Sequence, residues 1–204
     1  ILLRQAQHQK ARDVAFCLDT ARAMIAGKIR NSRQILLRGA REAAADEDAH
    51  VLGAGAEQLA NAFRRVPHAV DLEVLRGIEG EAAKNYFDAV SCLLRHEARQ
   101  VFSMNGRTRR PPRDRMNALL SFLYAMLMND CRSAVEASGL DPQLGFLHVV
   151  RPGRAALALD LMEELRPWVA DRLAMTLVNR GQVRGSDFDE REGGAVLLSE
   201  KGRK

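Results

Sequence analysis

The sequence predicts an all-α, multi-helix domain, and three observations carry that expectation. Ala and Leu are abundant, aromatic residues make up only 5% of the 204 positions, and most apolar runs recur at helical spacing. The length suffices for one sizeable domain with a buried core, or two small ones. We expect a helical domain over residues 1–180, followed by a mobile tail, 181–204, rich in Gly and charge and holding at most a short strand near Ala195 to Leu198. Because the chain opens inside a helical pattern, it reads as a fragment of a longer protein. A net charge of +5 is carried mostly by Arg, which favours planar oxyanions and makes nucleic acid the leading partner class. Cys17, Cys92 and Cys131 are far apart and lack a CxxC pair, so reduced core thiols and a cytoplasmic location are expected. No apolar run approaches the roughly 18–20 residues that a bilayer span needs, and no membrane contact is expected.

Ile1 to about Ala26 reads as an amphipathic helix that Gly27 interrupts. A second helix, from GKIRNSRQILLRGARE, carries Lys28, Arg30, Arg33, Arg38 and Arg41. Such a run is either a solvated face or a phosphate-facing one. Residues 43–55 resemble a linker, and its single Glu-x-x-His, Glu47 to His50, has no second copy to make a di-iron site. Glu57 to Val66 forms a short helix that Pro67 ends.

Glu79 then stands between Gly77 and Gly80, at what reads as the mouth of a helix continuing through Tyr86, Val90 and Leu94. An acid there complements the helix dipole; alternatively, the flanking glycines let it reach a metal or a phosphate. His96-Glu97 opens like a zinc-protease motif but lacks its second His. The loop GRTRRPPRDR holds Arg107, Arg109, Arg110, Arg113 and Arg115 around a double proline that should present their guanidinium groups to phosphate. Asp114 or Pro112 opens the most apolar helix, which Gly139 caps; Asn117 is its polar exception, placed to orient a loop.

The stretch from Gly145 to Leu173 organises the rest. His148 lies in a loop that runs through Pro152 and Gly153 to a helix starting near Ala155. On that helix Leu157, Leu161, Leu165 and Trp168 share one arc, read as the core face, while Asp160, Glu163, Glu164 and Asp171 share another. Acids at helical spacing repel one another and need either water or a cation.

Taken together, KIRNSRQILLR, GIEGEAAKNYF, RRPPRDRMNALLSFLYAML, GLDPQLGFLH and GRAALALDLMEELRPWVADRL resemble, in that order, the helical catalytic domain of the CRISPR adaptation integrase. That family is a metal-dependent DNA endonuclease that inserts spacers into CRISPR arrays. The resemblance covers most of the chain from Lys28 to Asn179, and GGAVLLSEKGRK is similar to the family's C-terminal segment. The family's N-terminal β domain has no counterpart in this stretch.

The resemblance implies metal ligands at Glu79, His148 and Glu163, with Asp160 supporting the site or a second ion. It also implies Mn²⁺ or Mg²⁺ as cofactor, double-stranded DNA as substrate, and a homodimer bridged by a small dimeric partner subunit. Two carboxylates and an imidazole suit those ions better than Zn²⁺. Candidate phosphate contacts are Arg107, Arg109, Arg110, Arg113, Arg154, Lys28 and Arg33. A non-catalytic DNA-binding regulator would explain the basic helices but leave the acidic cluster without a cation. A purely structural module would explain neither.

Overall fold

Two long helices set the frame of the computed structural model, which describes residues 1–203. Helix α1 (Leu2–Lys10) ends well before Gly27, and α2 (Val14–Glu42) runs straight through that glycine. The break therefore falls at Ala11–Asp13, where extended Asp13 caps α2 by accepting the Phe16 N–H at 3.0 Å. Gly27 is a packing position: a Cβ there would stand 3.1 Å from Glu164 Oε2. The linker-like stretch is helical as well. Helix α3 (Asp46–Arg65) begins on Asp46, Glu47 and Asp48, three acids that complement its N-terminal dipole. It packs along α2 through Leu52, Ala56 and Leu59.

Helix α4 (Leu72–Val90) is capped by Asp71, which places Glu79 in mid-helix rather than at its mouth. A short α5 (His96–Val101) and the arginine-rich loop lead to α6 (Arg115–Ala137), capped by Asp114 and terminated near Gly139, whose φ is +79°. As expected, α6 is central: Met116, Leu119, Leu120, Leu123 and Leu127 are all buried.

Helix α7 (Ala156–Leu165) is rotated from the expected orientation. Leu157 is buried, but Leu161, Leu165 and Trp168 are 38%, 37% and 43% exposed, whereas Asp160 and Glu163 are 0% and 3% exposed. The acids face inward because they, and not the leucines, find polar partners there. Pro167 then lacks the N–H that would bond Glu163, so the ladder opens into a π-helical stretch, Arg166–Asp171, before α8 (Arg172–Asn179).

The expected loose tail folds instead into an antiparallel hairpin, β1 (Phe188–Arg191) and β2 (Ala195–Leu198), with Phe188 opposite Leu198. Strand β2 lies where a short strand was expected. Alternation buries Val196 and Leu198 against α6, and Phe188 meets Phe102 edge-on at 5.8 Å between ring centres. Among the described residues no helix is long and apolar enough to cross a membrane.

Candidate metal centre

Asp160 is the keystone of the loop before α7. Its Oδ2 accepts the N–H groups of Phe146 (2.6 Å) and Leu147 (3.0 Å), and its Oδ1 accepts the His148 N–H at 2.9 Å. The same Oδ1 meets His148 Nδ1 at 2.6 Å. Four donors on two oxygens use the carboxylate's acceptor capacity, leaving none for an ion of its own. Of the two roles expected for Asp160, support of the site is the one this geometry permits. Gly145 makes the wrap possible, since a Cβ would stand 2.6 Å from Asp160 Oδ2 and 2.8 Å from the Ala156 backbone. With a carboxylate on Nδ1, that nitrogen is the donor, and Nε2 faces Glu163 Oε1, 3.9 Å away.

Glu163, one turn after Asp160, is buried where α2, α6 and the π-helical stretch meet α7. Burial pushes its carboxyl up, but the Lys28 and Arg166 cations together outweigh burial and hold it below the usual glutamate range. Arg166 Nη1 lies 3.0 Å from Oε1, and Lys28 Nζ lies 2.7 Å from Oε2. The lysine contact is an ion pair by distance without hydrogen-bond direction, so Oε2 remains buried with no directed partner. Lys28 also bonds Glu79 Oε1 across from α4. Thus α4 and α7 bring Glu79 and Glu163 to either side of the Lys28 ammonium of α2, and the loop before α7 sets His148 beside Glu163.

These donors fit a divalent cation on two counts. Glu163 Oε2 is buried with only the Lys28 ammonium against it, a contact that lacks hydrogen-bond direction, and two carboxylates plus one imidazole nitrogen form a hard-to-borderline set suited to Mn²⁺ or Mg²⁺. As the side chains stand, no three His, Cys, Asp or Glu residues among the described ones gather into a ready-made metal-binding group. The Lys28 ammonium stands between Glu79 and Glu163.

Behind the glutamates lies a layer that sequence reasoning missed. The Tyr124 hydroxyl donates to Asp171 Oδ1 at 2.6 Å, and the Arg107 and Arg166 guanidinium carbons sit 5.2 and 5.1 Å from the Tyr124 ring centre. Burial raises the Asp171 carboxyl to about 6. A cavity of about 20 Å³ between Lys28, Glu79, Tyr86, Tyr124, Arg166 and Asp171 has room for roughly one water. Asp171 carried a signal, since it shared an arc with Asp160 and Glu163; Tyr124 carried none.

The candidate phosphate contacts divide. Lys28, with its side chain 11% exposed, belongs to the acidic centre and not to a solvated basic face. Arg33 pins α2 to α3 by donating to the Ala56 carbonyl at 3.3 Å. Arg107 turns inward, donating to Asn117 Oδ1 at 2.7 Å and Ser121 Oγ at 3.0 Å. Asn117 also donates to the Gly106 carbonyl at 2.9 Å, orienting the loop as its position suggested. Arg113 reaches the Gly193 carbonyl on the hairpin. Arg109 and Arg110 are exposed, with Arg109 at the rim of the centre, and Arg154 is half-buried before α7.

Comparison with known proteins bears on this arrangement. The family model described as CRISPR associated protein Cas1 matches residues 1–204. A CRISPR-associated endonuclease Cas1 of Moorella thermoacetica is 53% identical over 204 residues, covering 100% of this chain and 59% of the relative. The chain thus spans somewhat more than half the length of the curated relatives it matches. A solved Cas1 protein from Thermotoga maritima superposes with a TM-score of 0.81 at 29% identity, covering 97% of this chain and 58% of that one. A chain of a partial Cas6-RT-Cas1–Cas2 complex gives 0.82 at 30% identity, covering 97% and 57%. With the family model spanning residues 1–204 and a solved Cas1 protein superposing over 97% of its length, the chain belongs to the Cas1 family of CRISPR-associated proteins.

Proposed function

We propose that this chain is the helical catalytic domain of a divalent-metal-dependent DNA endonuclease and integrase that inserts spacer DNA into CRISPR arrays. The observation that supports the reading is that Glu163 lies between Glu79, which shares the Lys28 ammonium with it, and His148, whose Nε2 lies 3.9 Å from its Oε1. Glu79, His148 and Glu163 would hold Mn²⁺ or Mg²⁺, which when bound neutralises phosphate charge and activates an attacking oxygen.

The chain's own residues supply the rest. Asp160 fixes the tautomer and pose of His148. Lys28 and Arg166 together hold the Glu163 carboxyl down despite its burial. Exposed Arg109, at the rim of the centre, is the leading candidate to hold a DNA phosphate there, with Arg110 and Arg154 as further candidates, since electrostatic positioning does most of the work in phosphoryl transfer. A DNA 3′-hydroxyl as attacker gives direct transesterification, with one P–O bond formed as another breaks; water as attacker gives a nick. No Ser, Tyr or Cys nucleophile is required. Double-stranded DNA, a second copy of the chain, and a small dimeric partner subunit are the proposed partners, in the cytoplasm. The partner finds support in the Cas1–Cas2 composition of the structurally similar complex.

The test is a strand-transfer assay with a 3′-hydroxyl donor duplex and a supercoiled target. Glu163→Gln should abolish both joining and nicking while leaving DNA binding intact. Joining by a folded Glu163→Gln protein would refute the assignment. Binding that strengthens while the wild type shows no metal-dependent cleavage would favour the regulator.

A further inference from the structure

Lys28 is the feature that a metal site alone does not explain. It sits in α2 directly after Gly27, the position that lets Glu164 of α7 approach closely, so its ammonium is delivered between α4 and α7. One ammonium serves two carboxylates, and it leaves Glu163 Oε2 without a directed bond. The ammonium thus stands between the two carboxylates at the place a divalent ion would take.

The charge balance points the same way. Glu79 and Glu163 contribute two negative charges, and Lys28 and Arg166 contribute two positive ones. Among these four groups the charges balance, with buried Asp160 and Asp171 adding negative charge close by. A divalent ion held between Glu79 and Glu163 would stand where the ammonium now stands, so the two cations exclude one another, and the ammonium is the group that can leave. Its four-carbon stem swings without moving α2, whereas Arg166 is held by Glu163 and stacked over Tyr124. The displaced ammonium needs an anion nearby, and a DNA phosphate is the anion this surface is built to receive.

We infer that Lys28 is an internal counter-ion that stands in for the divalent cation between Glu79 and Glu163 and, when that cation binds, moves to a phosphate of the DNA. The inference rests on the metal-centre reading proposed above. Its consequence is coupling: metal and DNA bind cooperatively through one lysine, so the site is loaded chiefly when substrate is present. Lys28 is therefore a positioning residue that links two binding events.

The experiment is a titration of the protein with Mn²⁺, reading the free ion by electron paramagnetic resonance, with and without a short DNA duplex. Wild type, Lys28→Met and Lys28→Gln are compared, each checked for folding by circular dichroism. Two neutral variants are used so that loss of one to misfolding leaves the other to decide. In the absence of DNA, the neutral variants should bind Mn²⁺ about tenfold or more tighter than wild type, since a like charge at contact distance has gone. Duplex DNA should tighten Mn²⁺ binding to wild type by roughly tenfold and to the neutral variants by less than about twofold. Equal or weaker Mn²⁺ binding by a folded neutral variant, or undiminished coupling to DNA, overturns the role of Lys28 while leaving the metal centre standing. No Mn²⁺ binding by any protein, wild type included, overturns both.

Discussion

Replacing Asp160 with Asn tests whether this acid builds the site or only decorates it. The wild-type carboxylate is fully buried and accepts three backbone N–H groups and His148 Nδ1 at 2.6–3.0 Å. Asn keeps one acceptor oxygen but turns an NH₂ toward donors that then have no acceptor. If two buried donors are orphaned at about 1–3 kcal/mol each, and the remaining bonds lose their charge assistance, the loss is about 3–5 kcal/mol. For a chain of this length that corresponds to a fall in Tm of roughly 6–20 °C. Urea unfolding followed by far-UV circular dichroism measures it directly. Because the same loop carries His148, Mn²⁺ affinity should drop about 10–100-fold in the fraction that remains folded. A loss of under about 1 kcal/mol with Mn²⁺ affinity unchanged would refute the view that Asp160 organises the loop.

Three further outcomes are expected. The Asp171 carboxyl, raised to about 6 by burial, makes the folded state bind a proton that the unfolded chain has already released. Its contribution is full below the ordinary aspartate value and is lost as pH rises through about 6, worth about 3 kcal/mol at most from a shift of about two units. Stability of wild type measured from pH 4 to 7 should show that decline, and Asp171→Asn should flatten it. Gly145→Ala drives a Cβ to within 2.8 Å of the Ala156 backbone and should destabilise by about 1–3 kcal/mol in the same urea assay. Arg109→Ala should weaken DNA binding across sequences and lower the slope of log K against log salt by about 1, whereas inward-facing Arg107→Ala should lower Tm because Asn117 and Ser121 lose a partner.

Much of this arrangement was legible before any coordinates, and the unread part has a common cause. Helix α6, its Asp114 cap and its Gly139 terminus follow from local signals, because an apolar run with a carboxylate before it and a glycine after it leaves few alternatives. The rotation of α7 was not legible. Periodicity reports which residues share an arc, and Leu161, Leu165 and Trp168 do, but which arc faces inward depends on partners elsewhere in the chain. Here Lys28, Arg166 and the N–H groups of residues 146–148 draw the acidic arc in. For the same reason Lys28 looked like part of a basic surface, since its partners lie on α4 and α7. Only the second half of α3, Glu57 onward, reads as helix from sequence, because three acids and Ala-Gly pairs dilute the apolar spacing of its first half, yet those acids are what its N-terminus favours. The hairpin at 188–198 depends on burial of Val196 and Leu198 against α6, a long-range gain that a Gly-rich segment does not advertise.

The most direct measurement is the number of Mn²⁺ ions bound at saturation by wild type and by Glu79→Gln, His148→Ala and Glu163→Gln, read by electron paramagnetic resonance on folded protein. A three-ligand centre gives one bound ion in wild type and a large loss of affinity in each variant. Retention of that ion at wild-type affinity in all three would show that it binds elsewhere, and that Glu79, His148 and Glu163 with the Lys28 ammonium serve only to hold the fold together.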